Sequence, residues 1–75
     1  MQIVIQYNKP FTLDVDLSNT IYEIRKLIAE KLGIPENLFM MIYNGYGLLD
    51  NKKTVSEYAI KAGNTIHVHV LGRGD

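Results

Sequence analysis

The chain has 75 residues, 47% of them apolar, with eight Lys and Arg set against eight Asp and Glu and no cysteine. That is enough apolar material for one small core and too much for a disordered tail. The neutral balance argues against polybasic contact with nucleic acid or a membrane surface, and the lack of cysteine excludes disulfides, thiolate chemistry and Cys-based zinc sites. No run approaches the roughly 20 apolar residues that span a bilayer. Met1-Gln2-Ile3-Val4-Ile5 has no basic leader, so a cytoplasmic or nuclear protein is expected.

Residues 2–7 alternate and are β-branched, predicting a strand with Met1, Ile3 and Ile5 on one face. Tyr7-Asn8-Lys9-Pro10 reads as a turn, and 11–17 as a second strand with Phe11, Leu13, Val15 and Leu17 on one side. A helix follows. Thr20 with Glu23 forms a capping box, Ile21, Ile24, Ile28 and Leu32 make an apolar stripe, and Gly33 followed by Pro35 supplies the stop. Arg25 falls beside that stripe and must either snorkel outward or be buried with a carboxylate partner.

Residues 38–43 form an apolar run, hence a third strand, ended by the hairpin signal Asn44-Gly45. Leu48-Leu49 allows a very short strand before the polar 50–53 loop. Thr54 with Glu57 repeats the capping box over a turn or two of helix. Residues 65–70 then alternate, with Ile66, Val68 and Val70 on one face and His67 and His69 on the other. The order predicts an α+β layer, a mixed sheet covering one long helix. Residues 1–71 form the domain, and 72–75 a glycine-rich flexible tail or linker.

Few residues invite chemistry. His67 and His69 share a strand face, but no third metal ligand is apparent beside them, and surface histidines are the favoured reading. Asp14 and Asp16 lie on a solvated face without the pocket a carboxylate catalyst needs. Gly45 and Gly47 precede no phosphate-cradling helix. No nucleophile stands with a base and an oxyanion donor, so no catalytic residues, metal or cofactor are expected. Phe39, Met40, Ile42 and Leu49 include residues that alternation cannot all bury, which favours an interaction surface.

Several strings in order, Met1-Gln2-Ile3, Thr12 to Asp16, Thr20-Ile21, Gly33-Ile34-Pro35, Ile42 to Gly45, Ser56 to Ile60 and Thr65 to Val68, resemble ubiquitin across the whole chain. The resemblance implies a ubiquitin-like β-grasp fold. It matches Arg25 to the family's buried helix lysine and Asp50 to its carboxylate partner, a structural ion pair. It also places a binding patch at Val4, Met40, Ile42, His67 and His69. That patch is degraded, since the family's first-turn leucine is missing and His69 stands where a valine is usual. The family's tail of Arg-Gly-Gly is matched by Arg73, Gly74 and Asp75, and a tail arginine read by activating enzymes is matched by Leu71.

Activation of a terminal carboxylate, and the cleavage that exposes it, both favour a second glycine, so this tail departs from a modifier's. The resemblance therefore implies a non-conjugated ubiquitin-like domain. It would be fused at its C-terminal side to a downstream domain such as a ribosomal protein, acting in cis as a folding, assembly or interaction aid. The alternatives are a proteasome-shuttle-type binding module and a free protein modifier. Partners are the fused domain and other proteins. A monomeric domain is expected, cytoplasmic, ribosome-associated or nuclear, without direct nucleic-acid or membrane binding. Arg73-Gly74-Asp75 also spells the integrin tripeptide, a coincidence in three residues.

Overall fold

Alternation along the first strand, β1 (Gln2–Gln6), sends Ile3 and Ile5 inward to complete burial and leaves Gln2, Val4 and Gln6 on the outer side. The computed structural model describes residues 1–71. β1 pairs antiparallel with β2 (Phe11–Asp14), and Asn8 takes a φ of 54° in the connecting turn, a conformation asparagine tolerates.

β2 stops at Asp14, short of the expected Leu17. Val15 still donates its N–H to Met1 O (2.7 Å) and is buried, but Asp16 N–H then bonds Asn19 Oδ1 (2.7 Å) and turns the chain. Alternation ends there, leaving Leu17 on the surface.

The helix α1 (Ile21–Leu32) begins and ends as its sequence dictates. Glu23 N–H donates to Thr20 Oγ1 (3.2 Å) and Thr20 N–H to Glu23 Oε1 (2.9 Å), closing the capping box. Those donors to the carboxylate, first the Thr20 N–H and then the Asn19 amide (3.2 Å), hold the Glu23 pKa below the ordinary carboxylate value. Gly33 adopts φ 69° and donates to Ala29 O (2.8 Å). Ile21, Ile24 and Ile28 are fully buried, while Leu32 packs only at the margin of the core.

A single 3-10 turn, Glu36–Leu38, takes the place of the expected start of the third strand, so β3 runs Phe39–Tyr43. Asn44 (φ 53°) and Gly45 (φ 85°) form a two-residue turn with both central residues left-handed, as a type I′ hairpin requires. Such a turn places the partner strand immediately after it. β4 is therefore Tyr46–Gly47 and not Leu48-Leu49, with Tyr43 opposite Tyr46 and Ile42 opposite Gly47.

The second capping box also closes, with Thr54 N–H on Glu57 Oε1 (3.0 Å) and Glu57 N–H on Thr54 Oγ1 (3.1 Å). Only one turn follows, because Ala59 at φ 58° breaks the helical backbone just after Tyr58 N–H reaches Thr54 O (3.2 Å).

β5 (Thr65–Val70) completes a five-stranded mixed sheet of order β2-β1-β5-β3-β4, parallel to β1 and antiparallel to β3. Its inward Ile66 and Val68 join Ile3, Ile5, Phe39, Met41, Leu48, Val55 and Ile60 against the isoleucines of α1 in one core. This is the α+β arrangement expected from the chain. One face of the sheet is sealed by the helix, and the other is left to solvent.

Candidate functional site

The open face is assembled by strand register. Because side chains alternate, the outward residues of β3 are Met40 and Ile42, and those of β5 are His67 and His69. Antiparallel pairing sets Ile42 opposite His67 and Met40 opposite His69. On the far side of β5, the parallel pairing puts Gln6 beside His67. The histidines are exposed, whereas Met40 and Ile42 are half-buried between neighbouring strands.

Of the five residues expected to form the binding patch, four meet on this β3–β5 ribbon. Val4 shares the face but lies on β1, opposite Thr65 and Thr12 and separated from β3 by the whole of β5.

The ribbon extends further than the expected patch. Leu71 donates its N–H to Leu38 O (2.7 Å), continuing the β5–β3 pairing by one step, and the two side chains are 46% and 45% exposed. Leu71, expected as part of an altered conjugation tail, is thus an apolar member of the face. At the other end, Gly47 lies opposite Ile42 and carries no side chain. A Cβ there would sit 3.3 Å from Leu49 Cδ2, so the Leu49 side chain lies over the glycine at the β4 edge, 71% exposed.

Leu38, Met40, Ile42, Leu71 and Leu49 therefore run along one side of the sheet around His67 and His69. Leu38, Leu49 and Leu71 are exposed beside the half-buried Met40 and Ile42, the kind of apolar grouping from which interaction surfaces are built. The signal for Leu38 and Leu71 was the alternation carried one step past each strand, 38-40-42 and 67-69-71. Their pairing depends on register, which local sequence does not state.

Arg25 and Asp50 do not form the expected ion pair. Nη1 of Arg25 donates to Phe39 O (2.8 Å) and Glu36 O (3.2 Å), and Nε donates to Asn51 Oδ1 (3.3 Å). The guanidinium also lies over the Phe39 ring, 5.5 Å from its centroid. Asp50 is exposed and instead accepts the N–H of Lys52 (3.0 Å) in its own loop. The guanidinium is already occupied by two main-chain carbonyls and the Asn51 amide oxygen, and Asp50 is held by a main-chain donor of its own loop. Partial burial lowers the Arg25 pKa and the Glu36 carboxylate raises it in part. The group remains a cation throughout the physiological range.

Glu36 is the acid that faces this helix surface, accepting from Tyr22 Oη (3.2 Å) and lying 3.8 Å from Lys26 Nζ. Arg73, Gly74 and Asp75 of the expected altered tail lie outside the described residues.

Comparison with known proteins agrees with the fold. The model of the ubiquitin family matches residues 2–72. Ubiquitin-like protein NEDD8 of Dictyostelium discoideum is 33% identical over 66 residues, 88% of this chain and 84% of that protein. Ubiquilin of Dictyostelium discoideum is 38% identical over 58 residues, which is 77% of this chain but only 11% of the relative. UV excision repair protein RAD23 of Saccharomyces cerevisiae is 39% identical over 54 residues, 72% of this chain and 13% of that protein. Among solved structures, the ubiquitin-like domain of an Arabidopsis thaliana protein superposes with a TM-score of 0.92 over 100% of this chain and 81% of that one, at 22% identity. Its likeness speaks to the fold alone. The matched family model, the relatives and the sheet order agree that this chain is a member of the ubiquitin family.

Proposed function

We propose that this ubiquitin-like domain is a protein-interaction module that stays attached in cis to a downstream domain and is not transferred to other proteins. The observation that carries the docking half is the outer β3–β5 ribbon, on which Leu38, Met40, Ile42, Leu49 and Leu71 lie together around the two histidines. An apolar surface of this kind gains affinity by leaving water, with most of the energy in a few central side chains. Ile42 is that centre here, flanked by Gly47 and His67 across the sheet. The partner is a receptor that reads the open face of ubiquitin-like sheets, of which the proteasome's receptor subunits are one case.

The attached half is supported by sequence: Asp75 stands where the family's second tail glycine is usual, and Leu71 where activating enzymes read arginine. A ribosomal protein is the narrowest form of the downstream domain. In that case the neutral, folded unit would shield a basic chain during its assembly.

An immunoblot of denatured extract, probed with an antibody raised against the folded domain, tests attachment. The expected result is one species well above the domain's own 8.5 kDa. A free species at that mass, or a ladder of conjugates, overturns this reading in favour of a modifier.

A further inference from the structure

Two histidines and a methionine share the open face of the sheet on paired strands. His67 and His69 stand at i and i+2 on β5, both exposed and on the same side. Strand rise puts their Cα atoms about 6.7 Å apart. Next to them in the sequence there is no third donor, but register supplies one. Met40 is the residue directly opposite His69. Facing side chains in antiparallel strands have Cβ atoms about 5 Å apart, and the diagonal to His67 is about 7–8 Å, within reach of a long, flexible side chain.

The composition of this trio selects its ligand. Among the described residues, no three His, Cys, Asp or Glu side chains group together, so neither a thiolate nor a carboxylate joins the set. A donor set without oxygen is poor for magnesium or calcium, and one without thiolate lacks what structural zinc prefers. Thioether and imidazole together suit a soft, closed-shell ion of the copper(I) type. Ile42, beside both Met40 and His67, adds an apolar wall on the β3 side. We propose that His67, His69 and Met40 form a surface site for a soft monovalent metal ion of the copper(I) class. The site stands independently of partner docking, although ion and partner would occupy the same face.

The test follows methionine methyl and histidine ring resonances of the isotopically labelled chain during titration with silver(I), a redox-inert analogue of copper(I). The site predicts saturable shifts at the Met40 methyl and at both His67 and His69 rings. Met41, fully buried on the inner face, and Met1 should stay unmoved. Met40→Leu keeps the size but removes the donor. It should weaken binding by about tenfold or more, the scale seen when even an outer-shell partner is lost, and an unchanged Met41 methyl reports an intact core. A silent Met40 methyl overturns the proposal. So does unchanged affinity in Met40→Leu, or a Met1 methyl that titrates together with Met40.

Discussion

The guanidinium of Arg25 donates to two main-chain carbonyls through Nη1 and to one amide side chain through Nε. Arg25→Ala should therefore lower stability by about 1–3 kcal/mol, because two partly buried carbonyls lose their charged donor. Asp50→Ala, which removes only a local loop bond, should cost about 0.5–1 kcal/mol. Urea unfolding midpoints at equal m-value report the ordering, and the reverse order would restore the Arg25–Asp50 pair.

Glu23 supplies a pH signature at the same scale. Its folded pKa lies below the unfolded value, so its contribution is present above the ordinary carboxylate range and is lost as pH falls through the folded value. Below about pH 4 the start of α1 should weaken. Glu23→Gln can still close the capping box but carries no charge to titrate. It should flatten the acid limb of a Tm-against-pH curve, and an unchanged limb would count against the assignment.

Among the elements, the β3–β4 turn isolates a purely conformational effect. A Cβ on Gly45 meets nothing within 4 Å, yet φ is 85°, so Gly45→Ala should cost about 1 kcal/mol with no steric clash behind it. A thermal melt checks this, and an unchanged Tm would mean that the hairpin closes through another turn.

Such elements were legible in sequence because their signals are local: a cap three residues from its partner, a stripe at helical spacing, asparagine then glycine between apolar runs. Where a local rule meets a longer-range one, the longer-range one wins. Leu48-Leu49 looked like strand, but the two-residue turn demanded pairing directly at Tyr46 and Gly47. Arg25 called for a partner, but its acceptors are carbonyls, which no residue type announces. Four of the seven residues of the candidate face stand out as alternation in 40–42 and 67–69, while the Leu38–Leu71 step and the cover of Gly47 by Leu49 arise only once strands are in register.

At the scale of the whole molecule, the sheet carries apolar residues on both of its sides. The inner side is closed: Ile24 and Ile28 are fully buried among both hairpins and β5, and truncating either to Ala should cost about 2–5 kcal/mol. For a domain of this size that is much of its total stability, so a large drop in Tm is expected for both variants.

The outer side is open and is where we propose that partners bind. The most direct measurement is a titration of the labelled chain with a proteasome receptor subunit, following backbone amide resonances, with ubiquitin run in parallel. Shifts should concentrate at Leu38, Met40, Ile42, His67, His69 and Leu71, and Ile42→Ala should lower affinity about tenfold, as for a central hot-spot residue. Shifts centred on the exposed face of α1, or none where ubiquitin responds, would contradict it.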